Sequence, residues 1–141
     1  MSDFSVFMAG NVATDDIVTY VASTRFMKDG KPVEWELKAV STDLDEAIRK
    51  DCTKKVPIVG KRGQFTLETD TDKYVGKLCV ACTVYPNLND VELQNSYGVS
   101  SADALLKKML KPGEYVDYKT KVMEVNGFDM SMEELVDEAK N

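Results

Sequence analysis

VYPNLNDVELQNSYGVSSADALLKKMLKPGEY, residues Val84–Tyr115, sets the expectation for the rest of the chain. Asn89-Asp90-Val91-Glu92 reads as a helix start, because Asn89 can accept free amides of a first turn and Glu92 can reach back to it. Tyr97-Gly98 stops that short helix, since Gly tolerates the left-handed conformation of a helix end. Ser100 or Ser101 caps the next one, whose stripe is Leu105, Leu106, Met109 and Leu110. Lys107, Lys108 and Lys111 crowd its last turn, against the negative end of the macrodipole. Pro112-Gly113 breaks this helix, and Glu114 with Tyr115 opens another. Nothing here looks like a catalytic centre. Short helices joined by tight turns make a packing surface, so the stretch reads as part of a binding module.

Downstream, Tyr115, Tyr118, Val122 and Val125 line one side of a helix from Glu114 to Val125, which Asn126-Gly127 ends. Ser131-Met132-Glu133-Glu134 opens a final helix with Met132, Leu135 and Val136 as its apolar edge. That edge is narrow and Glu133, Glu134, Asp137 and Glu138 crowd around it. Residues 129–141 are therefore expected as a peripheral acidic helix on a single domain of residues 1–141. Met109 suits the core, whereas Met130 and Met132 suit surface contact, since methionine adapts to both.

Upstream the signals are for strands. VTYVASTRFM is β-branched and aromatic, and PVEWELKAV alternates, with Val33, Trp35, Leu37 and Ala39 on one face. Asp29-Gly30 between them is a hairpin turn signal. Trp35, the one tryptophan, should anchor the core side. A helix follows, capped within Ser41-Thr42-Asp43, with Leu44, Ala47, Ile48 and Cys52 at helical spacing. Gly60-Lys61-Arg62-Gly63 predicts the turn of a second hairpin. Residues 69–85 fit both periods: Thr69 and Asp72 suit a capping box and the length suits a helix, while Leu78, Val80, Cys82 and Val84 also alternate as in a strand. Phe4, Phe7 and Met8 suggest that residues 1–17 form a docked arm. The expected fold class is α+β: amino-terminal hairpins packed with a mainly α-helical carboxy-terminal two-thirds.

Composition narrows the function. The 141 residues carry a net charge of −6, so the chain is a poor general binder of polyanions, and nucleic acid is not an expected partner. No apolar run approaches the roughly 18 residues that span a bilayer, and the amino terminus has no signal-peptide pattern. A cytoplasmic protein with reduced cysteines is the expectation. From Pro112 onward eight acidic residues face three basic ones, whereas Arg49 to Arg62 holds six basic residues and only Asp51. These regions could attract each other within the fold or between copies, so self-association is open. There is no histidine, which removes His-dependent triads and metal sites. Cys79-Val80-Ala81-Cys82 has redox or zinc spacing but no second pair, and its apolar setting favours packing. No cofactor is expected.

Arg25-Phe26, Gly30-Lys31-Pro32 and Trp35-Glu36 resemble the XkdN-like phage tail assembly chaperones. So do Arg49-Lys50, Cys52-Thr53-Lys54-Lys55, Pro86-Asn87-Leu88, Leu93-Gln94 and Ser96-Tyr97-Gly98-Val99. Pro112-Gly113-Glu114-Tyr115 and Asn126-Gly127-Phe128 complete a pattern that spans about residues 20–141 and lies in the order and spacing of its pieces. The resemblance implies a non-enzymatic protein of the host cytoplasm that coats the tape measure protein before the tail tube polymerises, and that is absent from the finished particle. It also implies a possible frameshifted longer form that recruits tail tube protein. Acidic charge with apolar helix edges suits that task, because a long helical partner with apolar stripes needs covering and solubilising. The candidate contact residues are Leu105, Met109, Tyr115, Tyr118, Val122, Phe128, Met130, Met132, Leu135 and Val136. The competing expectations are a structural tail or baseplate component retained in the particle and an acidic inhibitor that mimics nucleic acid.

Overall fold

The computed structural model describes residues 3–13 and 16–128. Two short 3-10 helices, Asp3–Phe7 and Ala9–Asn11, precede the first strand. Then come β1 (Val18–Tyr20), β2 (Met27–Lys28), β3 (Lys31–Pro32), β4 (Trp35–Leu37), α1 (Thr42–Asp51), β5 (Thr53–Pro57) and β6 (Phe65–Thr69). The remaining elements are α2 (Thr71–Cys82), β7 (Thr83–Tyr85), α3 (Val91–Ser96), α4 (Ala102–Met109) and α5 (Pro112–Val125). The fold is mixed α+β, as the strand and helix patterns predict.

Alternation in the tryptophan segment does what a half-buried strand requires. Trp35 and Leu37 are buried and Glu34 and Lys38 are exposed. β4 is the middle strand of an antiparallel sheet of order β1-β4-β7, with Tyr20 opposite Trp35 and Val18 opposite Leu37. The Asp29-Gly30 turn closes the small β2–β3 hairpin, and both residues have positive φ, +53° and +78°. VTYVASTRFM is not one strand, however. Its middle leaves the ladder, and the Ser23 hydroxyl accepts the Arg25 amide at 3.2 Å, a local bond that competes with pairing. The detour carries Arg25 across to the α4–α5 junction, where its guanidinium donates to the Met109 carbonyl at 2.6 Å and pairs with Glu114 at 3.5 Å.

α2 resolves the segment that fits both periods: the helix ends at Cys82 and the chain continues directly into the edge strand β7. Its cap is Asp70, which accepts the Lys73 amide at 3.1 Å, in place of the expected Thr69–Asp72 box. Tyr74, Val75, Leu78, Cys79 and Cys82 are all buried, and α2 packs against α1, α4 and α5. The sheet covers the same core through Trp35 and Leu37, with Trp35 edge-on to Tyr118 of α5 at 5.4 Å between centroids.

Other expectations shift in detail. Asp90, not Asn89, caps α3, and Ser101 caps α4. Pro112 belongs to α5 as its first residue, where a missing N–H costs nothing. On α1, capped by Ser41, Leu44 and Ala47 face outward, and only Ile48 and the following Cys52 turn to the core. The Gly60–Gly63 turn does connect a hairpin, β5–β6, paired from Thr53↔Thr69 to Pro57↔Phe65. The amino-terminal arm is not docked as its apolar residues suggested: Val6, Phe7, Met8, Val12 and Ile17 stand exposed. The acidic helix expected over 129–141 lies outside the described residues.

Because Trp35 is 1% exposed and touches both Phe26 and Tyr118, Trp35→Ala should destabilise the chain by about 3–5 kcal/mol. A melting temperature equal to that of the unsubstituted chain would show that this side chain does not anchor the core.

Candidate protein-binding surface

The ten residues expected to contact a partner divide sharply by position. Leu105, Tyr118 and Val122 are 0% exposed and Met109 is 5% exposed. They meet α2 and the sheet inside the domain, so in the folded chain they are core residues and not a free face. Helical spacing identifies which side of a helix is apolar, but it does not say what covers that side. Tyr118 shows how completely this one is covered. Its ring packs on Trp35 and Tyr20, and its hydroxyl hydrogen-bonds Thr83 at the start of β7.

Tyr115 is half-buried under the Lys119 ammonium, 4.7 Å from the ring centroid. Phe128 is 36% exposed, and its amide donates to the Met123 carbonyl at 3.0 Å. It follows the joint made by Asn126, whose Nδ2 donates to the Val122 carbonyl at 2.8 Å and to Cys82 Sγ at 3.2 Å, while Oδ1 accepts the Val40 amide at 3.0 Å. That joint fixes the point from which residues beyond Phe128 depart, beside the α2–β7 junction. Met130, Met132, Leu135 and Val136 lie outside the described residues.

Two surfaces that the sequence reading did not place in the contact set are plainly accessible. One is the arm. The other is the β5–β6 hairpin, where Phe65 and Leu67 are exposed and Val59 at the turn is 99% exposed. A run of apolar letters reads as core, so neither announces its exposure. The basic stretch from Arg49 to Arg62 also separates into two parts. Arg49 is engaged with Asp45 at 3.2 Å and stacks on Tyr74 at 4.2 Å, whereas Lys54, Lys55, Lys61 and Arg62 belong to the exposed hairpin. The Gly60–Gly63 turn leads into a strand, not a helix, so it lacks the architecture of a phosphate-binding loop.

Cys79 and Cys82 are both 0% exposed within α2. Burial pushes the Cys79 thiol up to about 12 and raises that of Cys82. Neutral buried thiols of this kind behave as small hydrophobes. Among the described residues no group of three or more Cys, Asp or Glu side chains is placed to hold a metal ion.

With this arrangement in view, the comparisons with known proteins are decisive. The family model described as "Phage XkdN-like tail assembly chaperone protein" matches residues 4–140. The chain belongs to that family. It is 33% identical to YqbN of Bacillus subtilis (strain 168), over 99% of this chain and 93% of YqbN. It is 28% identical to XkdN of the phage-like element PBSX of the same strain, over 99% of this chain and 94% of that protein. The crystal structure of YqbN superposes with a TM-score of 0.76, covering 92% of this chain and 99% of the YqbN chain at 28% identity. Residues that carried the family resemblance in the sequence prove to be joints of the fold: Arg25 and Glu114 at the α4–α5 junction, Trp35 in the core, and Asn126 at the end of α5, bonded to Cys82 of α2.

Burial also raises Tyr118, and it pushes Tyr74 and Tyr115 up to about 12, with Asp45 adding to the effect at Tyr74. A folded state that holds these protons more tightly than the unfolded chain is favoured fully below the ordinary values, 9 for thiols and 10 for phenols. Stability is then lost as pH rises from there through the folded values. The denaturation midpoint in urea should therefore fall progressively above pH 9, tracked by intrinsic fluorescence. A midpoint constant up to pH 12 would contradict the burial of these groups.

Proposed function

We propose that this chain is a non-enzymatic tail assembly chaperone that binds the tape measure protein and keeps it soluble in the host cytoplasm until the tail tube assembles. Family membership over residues 4–140 carries this reading. Physical support comes from the division of labour in the chain. The described residues form one buried core, and apolar side chains nevertheless remain exposed on a molecule with a net charge of −6. Exposed apolar groups can cover stripes of a long helical partner while the acidic surface keeps the complex dispersed. No helix among the described residues is long and apolar enough to cross a membrane.

Contact with the tape measure protein is assigned to the carboxy-terminal side. Phe128 is exposed just beyond the end of α5, and Met130, Met132, Leu135 and Val136 follow it in the sequence, with half-buried Tyr115 near the start of that helix as a further candidate. The acidic residues interleaved from Asp129 to Glu138 add charge to this stretch of the sequence. Release follows from a modest interface of this kind, which suits a chaperone that leaves before the particle is finished. A longer form that recruits tail tube protein would extend from this same end.

A chain ended after Phe128 keeps every joint described above and should melt nearly as the full chain does. Co-expressed with the tape measure protein from the same phage element, it should leave less of that partner in the soluble fraction. Equal solubilisation would exclude residues 129–141 as the docking segment. Failure of the full chain to solubilise the partner at all would refute the chaperone reading.

A further inference from the structure

The β5–β6 hairpin carries an edge that the rest of the fold leaves open. Two backbone bonds bracket its ladder: the Asp70 amide donates to the Cys52 carbonyl at 2.8 Å, and the Ile58 amide to the Gln64 carbonyl at 3.1 Å. Bonded and unbonded pairs alternate along an antiparallel ladder, and both bonds set the same phase. Thr53↔Thr69, Lys55↔Leu67 and Pro57↔Phe65 are then the pairs whose main-chain groups aim outward. The Thr53–Thr69 hydroxyl contact at 2.7 Å joins one of these pairs, and Pro57, which has no N–H to give to β6, sits in another. The two outer edges therefore differ. On β5 the proline removes a donor. On β6 the N–H and C=O groups of Phe65, Leu67 and Thr69 all aim away from β5. All five residues of β6 are exposed, and no strand lies beyond it among the described residues.

Side chains along this edge restrict what can lie there. Phe65 and Leu67, 58% and 69% exposed, share one face with Pro57 and Lys55, whereas Val56 on the opposite face is half-buried. Lys61 and Arg62 occupy the turn that leads into β6. Residues 53–69 hold Lys54, Lys55, Lys61 and Arg62 against a single carboxylate, Glu68, in a chain whose net charge is −6. We infer that β6 takes an added strand from a partner protein: an extended segment with apolar side chains at alternate positions, opposite Phe65 and Leu67, and acidic residues at the end nearest Lys61 and Arg62. Main-chain donors and acceptors at strand spacing select an extended peptide over a helix, whose own backbone groups are already paired. Charge complementarity selects acidic residues at the turn end, and Glu68 on β6 disfavours a carboxylate directly opposite it. Single-stranded nucleic acid matches the charge but has no peptide backbone to pair with the edge. Strand addition here goes beyond the chaperone reading and rests on none of it.

The probe is the peptide acetyl-Thr-Val-Thr-Val-Thr-Val-Glu-Glu-amide, which brings its glutamates to the turn when it pairs antiparallel to β6. It is titrated into isotope-labelled full chain, with amide resonances and amide hydrogen exchange read residue by residue. Exchange should slow at Phe65, Leu67 and Thr69 and stay unchanged at Lys55, whose amide aims toward the other edge. Affinity should fall with salt, which screens exposed charges, and several-fold when lysines replace the glutamates. Leu67→Pro and Leu67→Ala both lose the leucine, but only the proline lacks the outward N–H. The proline chain should bind roughly fivefold more weakly than the alanine chain, the worth of one main-chain hydrogen bond. Equal binding by the two, or no change at the three β6 amides up to millimolar peptide, overturns the inference. So does tighter binding of oligothymidylate than of the peptide, or of a helical peptide carrying the same valines and glutamates. Slowing of the same amides when the free chain is concentrated, with no further effect of peptide, would make a second copy the occupant and also overturns it. Should the proline chain misfold, nuclear Overhauser contacts in the unsubstituted chain decide: backbone-to-backbone contacts between the peptide and residues 65–69 are expected, and contacts limited to side chains contradict the added strand.

Discussion

Burial of α2 on several sides at once is the constraint that the rest of this domain obeys. Buried Tyr74, Val75, Leu78, Cys79 and Cys82 form one stripe, and buried Gly76 with half-buried Val80 widens the covered face beyond what one neighbour spans, so α1, α4 and α5 gather around the helix. The sheet meets the same interior through Trp35 and Leu37. Because α2 runs directly into β7, the position of the central helix also sets the edge of the three-stranded sheet. Helix and strand are thereby held in one register, with Asn126 locking the end of α5 to Cys82 and Val40.

This explains why the most informative segment was also the least legible. A helix buried on several sides loses the clear polar and apolar faces that periodicity detects, and its sequence then fits two periods. By contrast, β4 has one wet face and one dry one, and its alternation was readable residue by residue. Asp29-Gly30 and Gly60–Gly63 were legible because positive φ restricts the residue types that can occupy such turns. The candidate contact residues were legible only as apolar. Whether Tyr118 or Val122 faces a partner or the chain's own core depends on what the rest of the chain supplies, and here it supplies α2 and Trp35. The exposed hairpin face and arm were missed for the converse reason: nothing in Phe65, Leu67 or Phe7 as letters distinguishes an uncovered side chain from a covered one.

The family pattern and the proposed contact residues overlap at Tyr115 and Phe128, but most of the pattern maintains the fold. Arg25 ties the loop after β1 to the carbonyl of Met109, and Glu114 accepts from both Arg25 and the Lys111 amide. These interactions maintain the fold common to this chain and YqbN. Partner contact, in the reading given above, belongs to side chains outside that framework. Such a separation lets a chaperone engage and release a large apolar partner without opening its own interior, and it places no demand on catalytic or metal chemistry.

Hydrogen–deuterium exchange of the full chain, free and in complex with the tape measure protein, tests this separation most directly. The account requires new protection at residues from Phe128 onward, with exchange in α2, α4 and α5 unchanged by the partner. Faster exchange across α4 and α5 on binding would mean that Leu105, Met109, Tyr118 and Val122 leave the core to meet the partner, and would contradict it.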